Sequence, residues 1–580
     1  MSDSPKQYVL RRLNELKAVR ARYEPDLRAV CELQTPGAAR WDPLEGERGV
    51  APTRPINNTA MLAARIAASG LFASLTRPSS IWFRLTTPDP EMADWGPAKE
   101  AISLRETRMR WVFSKANFYQ ALADSIYPGL LNYGFGVGIL DSHPRRIINI
   151  VTPPLGEAYL SAGSSGVDTI YRRVPMTVRQ MVQTFVAGEN GAMDWSKVSH
   201  QVKASWDSGK REFVSEIVHA IEPRVEFDSS RGTALMMPVS SRWVEASGDD
   251  DVVLRESGYR SFPGLCPRYA VRGNESYSYR CPGLDCIGDT GELEHEERRI
   301  SGATDKMLVP PMKASADMRG AGGTLRAGDT TWLPRSVGSA GSTFEPSMPI
   351  NHLPQAVREI KEHKIDIQER IDRAYYVDLW MRILSDQRLQ RATAKETELA
   401  QDEAMAQLAP LLERLDPELF VPAIDRTQEI MEERGFLPPL PPELNGVQLK
   451  VEFVSVLHQA QKLMGLAGTR SLIIEIGNLS QLKPEALDNL NADAIAQDLA
   501  DTIGAKPSYI LTKEEVAVLR QARAEREQKA QLDAQAVAAA KATQQLGAVD
   551  PALVGAASEN AGAAAQGYGP IAASGFGGLQ

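Results

Sequence analysis

The segments IGDTGELEHEERRISGATDKML (residues 287–308) and PQAVREIKEHKIDIQERIDRAYYVDLWMRI (residues 354–383) decide the reading of this chain. Each predicts a long charged helix. On the second, Val357, Ile360, Ile367, Ile371 and Ala374 fall on a narrow apolar seam along an otherwise charged rod. Between the rods, Pro310-Pro311 opens a Gly-, Ser- and Pro-rich module, with short strands expected at Gly323 to Ala327 and Thr330 to Leu333. A rod with so narrow a seam buries little surface alone. It gains stability beside copies of itself, as in a ring or bundle. The alternative is an ordinary helical hairpin carrying an inserted loop domain.

Towards the N-terminus the pattern is mixed. Val9, Leu13, Leu16, Tyr23, Leu27 and Val30 place a helix over 5–34, interrupted at Pro25. A small-residue helix is expected from Asn57 to Leu75, a strand over Ile81 to Leu85, and helix again over 97–132. From Gly134 to Val225 strands dominate, with Thr177 as the cap of a short helix. Beyond the rods, helices over about 393–435, a break at Pro438 to Pro442, a strand at Leu449 to Val454 and helices to about 545 complete an α+β, predominantly helical chain. The last 35 residues hold 18 Gly or Ala and two charges, a composition that cannot offset its ordering entropy.

The 580 residues exceed one hydrophobic core, so several domains are expected. A net charge of -9 excludes tight binding to DNA through an all-basic surface. No secretory signal is read in the charged start, and the apolar run Ala60 to Leu75 is too short to span a membrane. No phosphate-binding G-x-x-x-x-G-K-[ST] loop, H-E-x-x-H pair or G-x-S-x-G elbow occurs. Gly134-Phe135-Gly136-Val137-Gly138 follows a helix and precedes a strand, the reverse of a dinucleotide loop. Cys266, Cys281, Cys286 and His295 leave free thiols or zinc open, but their spacing fits no common ligand pattern. No catalytic residue, cofactor or metal is expected.

Several segments, in order, resemble the portal (head-to-tail connector) proteins of short-tailed, podovirus-type bacteriophages. They include Asn57-Asn58-Thr59-Ala60, Trp82-Phe83-Arg84-Leu85, Asp168 to Arg173, His219 to Arg224 and Ala303 to Met307. The most specific are Arg391-Ala392-Thr393-Ala394-Lys395-Glu396 and the run Arg434 to Pro441. The resemblance implies a twelve-subunit ring at one capsid vertex of the virion, assembled in the host cytoplasm. It divides the chain into a wing (1–286 and 393–480), stem helices (287–308 and 351–383), a clip (309–350), a tunnel loop (384–392), a crown (481–545) and a disordered tail (546–580). Implied partners are double-stranded DNA, bound without sequence preference, the major capsid and scaffolding proteins, the terminase large subunit and the tail adaptor, with no membrane.

On that layout, Arg382, Gln387, Arg388, Gln390 and Arg391 are the candidate DNA-facing residues of the tunnel loop. Their arginines either touch phosphates or pair with a neighbouring subunit's acids. Glu292, Glu294, Glu296 and Glu297 are the candidate acidic channel wall: residues 287–308 carry six acids against three bases, which would let DNA slide. The expected chain is a passive conduit driven by a separate terminase motor. The alternatives are an internal core or minor head protein and, against the motif evidence, the terminase itself.

Overall fold

The computed structural model describes residues 4–42, 54–309, 353–384 and 408–453 apart from short gaps, three strands between 312 and 346, residues 476 and 495, and 513–545. The chain divides into two compact units, Met1–Ala93 with Pro97–Gly504 and Asp94–Gly96 with Ala505–Gln580. In the first, Ser4 caps helix α1 (Pro5–Arg20), its hydroxyl accepting the Gln7 N–H at 3.2 Å. Pro25 sits in the first turn of α2 (Glu24–Leu33), where its missing N–H costs nothing, so the chain breaks between the two helices instead of kinking. Next come α3 (Thr59–Leu75), β1 (Phe83–Thr86) and α4 (Gly96–Lys115). Residues 118–133 are helical around a π-turn at Leu122–Ile126.

Strands β2 (Gly138–His143) and β3 (Ile147–Val151) form a small sheet. Beside them, β4 (Ala158–Ala162), β5 (Val167–Thr177), β6 (Val214–Pro223), β7 (Val239–Glu245) and β8 (Val253–Tyr259) make an antiparallel sheet in sequential order, and β9 (Gly264–Leu265) joins β2. Alternation along β6 sends its side chains both ways. Val218 and Ala220 meet Val9, Leu13 and Leu16 of α1, while Ile217 and Ile221 enter separate clusters on the other side. Across the middle of the sheet Arg172, His219, Trp243 and Arg255 lie in register. The imidazole stacks on the indole at 3.9 Å and accepts the Arg172 Nε–H at 3.1 Å. Burial, with two nearby guanidiniums, holds His219 neutral far below its usual range.

The first rod, α5 (Ile287–Leu308), has the expected bounds. In the module that follows, β10 (Met312–Ser315) pairs parallel with β11 (Thr330–Leu333) and antiparallel with β12 (Phe344–Pro346). The strand expected at Gly323 to Ala327 lies outside the described residues.

The second rod differs from expectation. Instead of one helix to Ile383, α6 (Leu353–Ala374) stops and α7 (Val377–Leu384) begins beyond Tyr376, whose φ of 55° is left-handed. Tertiary contacts override helix continuation here. The buried Tyr375 hydroxyl lies 2.9 Å from both Gln34 Oε1 and Asn132 Oδ1. The Trp380 indole donates to the Tyr375 carbonyl at 3.1 Å and packs on Gly70 of α3, where an added Cβ would fall 2.4 Å from the ring.

A helix over 408–415 and a π-turn at Asp416–Phe420 lead into α8 (Val421–Glu433). Strand β13 (Lys450–Phe453) then pairs antiparallel with β1, Phe83 opposite Phe453. A two-stranded ladder this short is not stable alone. It is held by burial of Trp82, Phe83, Phe113, Phe118 and Phe420, at about 1.5–3 kcal/mol for each large side chain. In the second unit, α9 (Lys513–Gln545) is a single helix. Among the described residues no helix is long and apolar enough to cross a membrane.

Candidate functional site

The glycine loop after residue 133 closes a helix. Gly134, at φ 80°, is its left-handed cap. The loop's backbone is already engaged: Gly136 N–H donates to the Pro267 carbonyl at 3.0 Å, and the Gly134 carbonyl accepts the Tyr269 N–H at 2.7 Å. A phosphate cradle needs free N–H groups. Cys266, Cys281 and Cys286 are buried free thiols, and burial pushes Cys286 up to about 12. His295 is exposed on α5, and no three of these four residues come within ligand reach of one another.

The charged groups of the rods do converge. Asp289 pairs with Arg370 at 2.8 Å and Glu296 with His363 at 2.7 Å. One number rises by seven as the other falls by seven, which is the signature of two antiparallel helices meeting along one face. Glu297 accepts from the Lys364 ammonium and, at 3.0 Å, from Asn57 Nδ2. The Lys364 hydrogen bond holds this carboxyl below its ordinary range. The hydrogen bond to Glu296 raises His363 in turn.

The four expected wall acids therefore do not share one open face. Glu294 is buried and accepts the N–H groups of Ile56 at 2.8 Å and Asn57 at 3.2 Å, with Arg298 at 3.1 Å. Glu296 is also buried and Glu297 half-buried, each with a partner inside the chain. Glu292 alone of the four is exposed, 3.9 Å from Arg370. In the tunnel segment, Arg382 belongs to the last turns of α7 and is not in a loop. Gln387, Arg388, Gln390 and Arg391 lie outside the described residues. His363, Lys364 and Arg370 were not singled out in the sequence. The seven-residue step from His363 to Arg370, matching that from Asp289 to Glu296, was the available signal for two of them.

The described residues thus form an α+β body that carries a hairpin of charged helices. The chain belongs to the bacteriophage head to tail connecting protein family, whose profile matches residues 6–511. By that description the family is structural, not enzymatic. The chain is 34% identical over 571 residues to the portal protein of Salmonella phage epsilon15, covering 98% of this chain and 100% of that one. It is 32% identical over 549 residues to the probable portal protein of Bordetella phage BPP-1, covering 94% and 96%. The resemblance to portal proteins is thus established over nearly the whole sequence.

Proposed function

We propose that twelve copies of this chain form the connector ring at one capsid vertex of the virion, through which double-stranded DNA enters during packaging and leaves during ejection. Residues 1–286 and 393–480 would form the wing, 287–308 and 351–383 the stem, 309–350 the clip, 384–392 the tunnel loop and 481–545 the crown. A separate terminase large subunit, and later the tail adaptor, would dock at the clip. Capsid and scaffolding proteins would meet the ring during assembly in the host cytoplasm.

The observation that carries this reading is the gradient of burial along the rods. At the base, Leu293, Ile367 and Ile371 are fully buried. Towards the outer end of α5, Leu308 is 76% exposed and Val309 55%. A neighbouring hairpin in a ring would cover that end. The portal names of both relatives support the connector over an internal core protein. The acidic wall is kept in narrower form. Residues 287–308 have an excess of three acids, whereas residues 353–374 balance five acids against five bases. That net charge repels phosphate without offering it an open row of carboxylates.

Negative-stain microscopy of the purified protein tests the ring. Twelve chains of 63.5 kDa make a channel-bearing particle of 762 kDa. A stable monomer that never forms rings under assembly conditions overturns the proposal. Within assembled rings, Arg388→Glu or Arg391→Glu should alter DNA packaging or retention while ring yield is unchanged. Collapse of the rings would instead make these arginines inter-subunit partners.

A further inference from the structure

Where the two rods meet at their base, Glu292 and Glu296 stand one helical turn apart on α5 and face His363 of α6. One ligand atom from each of the three lies within 4.8 Å of the others. A tetrahedral ion with bonds of about 2.0–2.2 Å needs its donors about 3.4 Å apart, so small rotations of the side chains would close the set. Glu296 adds an independent sign. Its residue is 7% exposed, and its Oε2 is buried without a hydrogen-bond partner, while Oε1 is engaged by His363. A buried carboxylate oxygen left unpaired is costly, and a bound cation would satisfy it.

The surrounding charge points the same way. Asp289, Glu292, Glu296 and Glu297 supply four negative charges, and Arg370 and Lys364 supply two positive ones. With His363 neutral, the balance of -2 matches a divalent ion. Arg370 is the competitor: it is 3.9 Å from Glu292 but 2.8 Å from Asp289, so it can keep the closer partner when Glu292 turns to an ion.

We propose that Glu292, Glu296 and His363 form a binding site for a divalent transition-metal cation that ties the two rods together at their base. Two carboxylates with one imidazole suit zinc, manganese or cobalt better than magnesium or calcium, which favour all-oxygen sites. Because the ligands come from both rods, the ion would hold α5 against α6 as a cross-link.

The test uses the full-length protein, stripped with a chelator and titrated with Co²⁺, whose visible absorption reports its ligands. Metal content after dialysis and thermal unfolding are measured in parallel. Wild type should take up about one Co²⁺ per chain, displaced by Zn²⁺, with a higher melting temperature. His363→Ala and Glu292→Gln should each weaken uptake by at least about tenfold and abolish the thermal shift. Glu292 is exposed and makes no buried contact, so Glu292→Gln keeps the test valid if His363→Ala folds poorly. Absence of Co²⁺ uptake by wild type, or uptake that both variants leave unchanged, would overturn the proposal.

Discussion

Between β5 and β7 nearly every side chain has a partner within the chain: Tyr171, Ile217, Val218, Ile221 and Val244 are fully buried, and polar His219 is stacked and hydrogen-bonded. Along α5 and α6, Leu293, Ile367 and Ile371 are fully buried, and ion pairs join the two helices. Farther out, Leu308 remains open to solvent. The sheet body has the apolar burial of a self-sufficient domain. The hairpin is packed at one end and leaves Leu308 open at the other, the surface that the proposed ring would cover.

The widest separation of the two regions should come from the body's aromatic core. Phe118→Ala removes a fully buried ring packed 4.3 Å from Phe113 and 5.8 Å from Trp82. It should cost about 3–5 kcal/mol in urea unfolding and leave β1 poorly held against β13.

Next in size is a change where the body grips the hairpin. Gly70→Ala puts a methyl group inside the Trp380 ring's space, and helical packing leaves the ring no easy retreat. A loss of about 1–3 kcal/mol is expected, with a shift of Trp380 fluorescence reporting the displacement of α7.

A pH experiment probes the body from another side. Burial raises the Glu106 carboxyl from 4.5 to about 7, even though it accepts the Leu85 N–H at 2.7 Å. Its folded-state value lies above the unfolded one, so its contribution is complete below pH 4.5 and is lost as pH rises through about 7. Glu106→Gln keeps an acceptor for Leu85 without a charge. It should be more stable than wild type at pH 8, by about 1–3 kcal/mol, and no more stable at pH 4. Equal stability at both pH values would contradict the assignment.

The smallest effect belongs to the hairpin. Arg370 is 44% exposed, and Arg370→Met should cost less than about 1 kcal/mol, falling further in high salt. A loss above about 2 kcal/mol would mean that the rods depend on their ion pairs as the body depends on its core.

Much of this architecture was legible because it is local. The bounds of α5, the Thr177 cap with its reciprocal Gln180 bond, and the helix exit at Gly134 all follow from neighbouring residues. The break at Tyr375 was not legible, because it rests on Gln34, Asn132 and Gly70, more than 240 positions away. Strands β1 and β13 each carried a strand pattern, yet nothing local announced that they pair. For the site, the acid excess of α5 was plain in the sequence. Which acids face solvent was not, since Glu294 is taken up by the backbone of Ile56 and Asn57 across 238 and 237 positions.

The bend at Tyr376 has a mechanical consequence. Its two arms are unequal: α6 extends about 33 Å and α7 about 12 Å at 1.5 Å per residue. Tyr375 is tied to Gln34 and Asn132, and Trp380, halfway along α7, packs on Gly70 of α3. Corner and short arm are therefore anchored together, so a load on the long arm is handed to the body at this corner and is not swung through into α7.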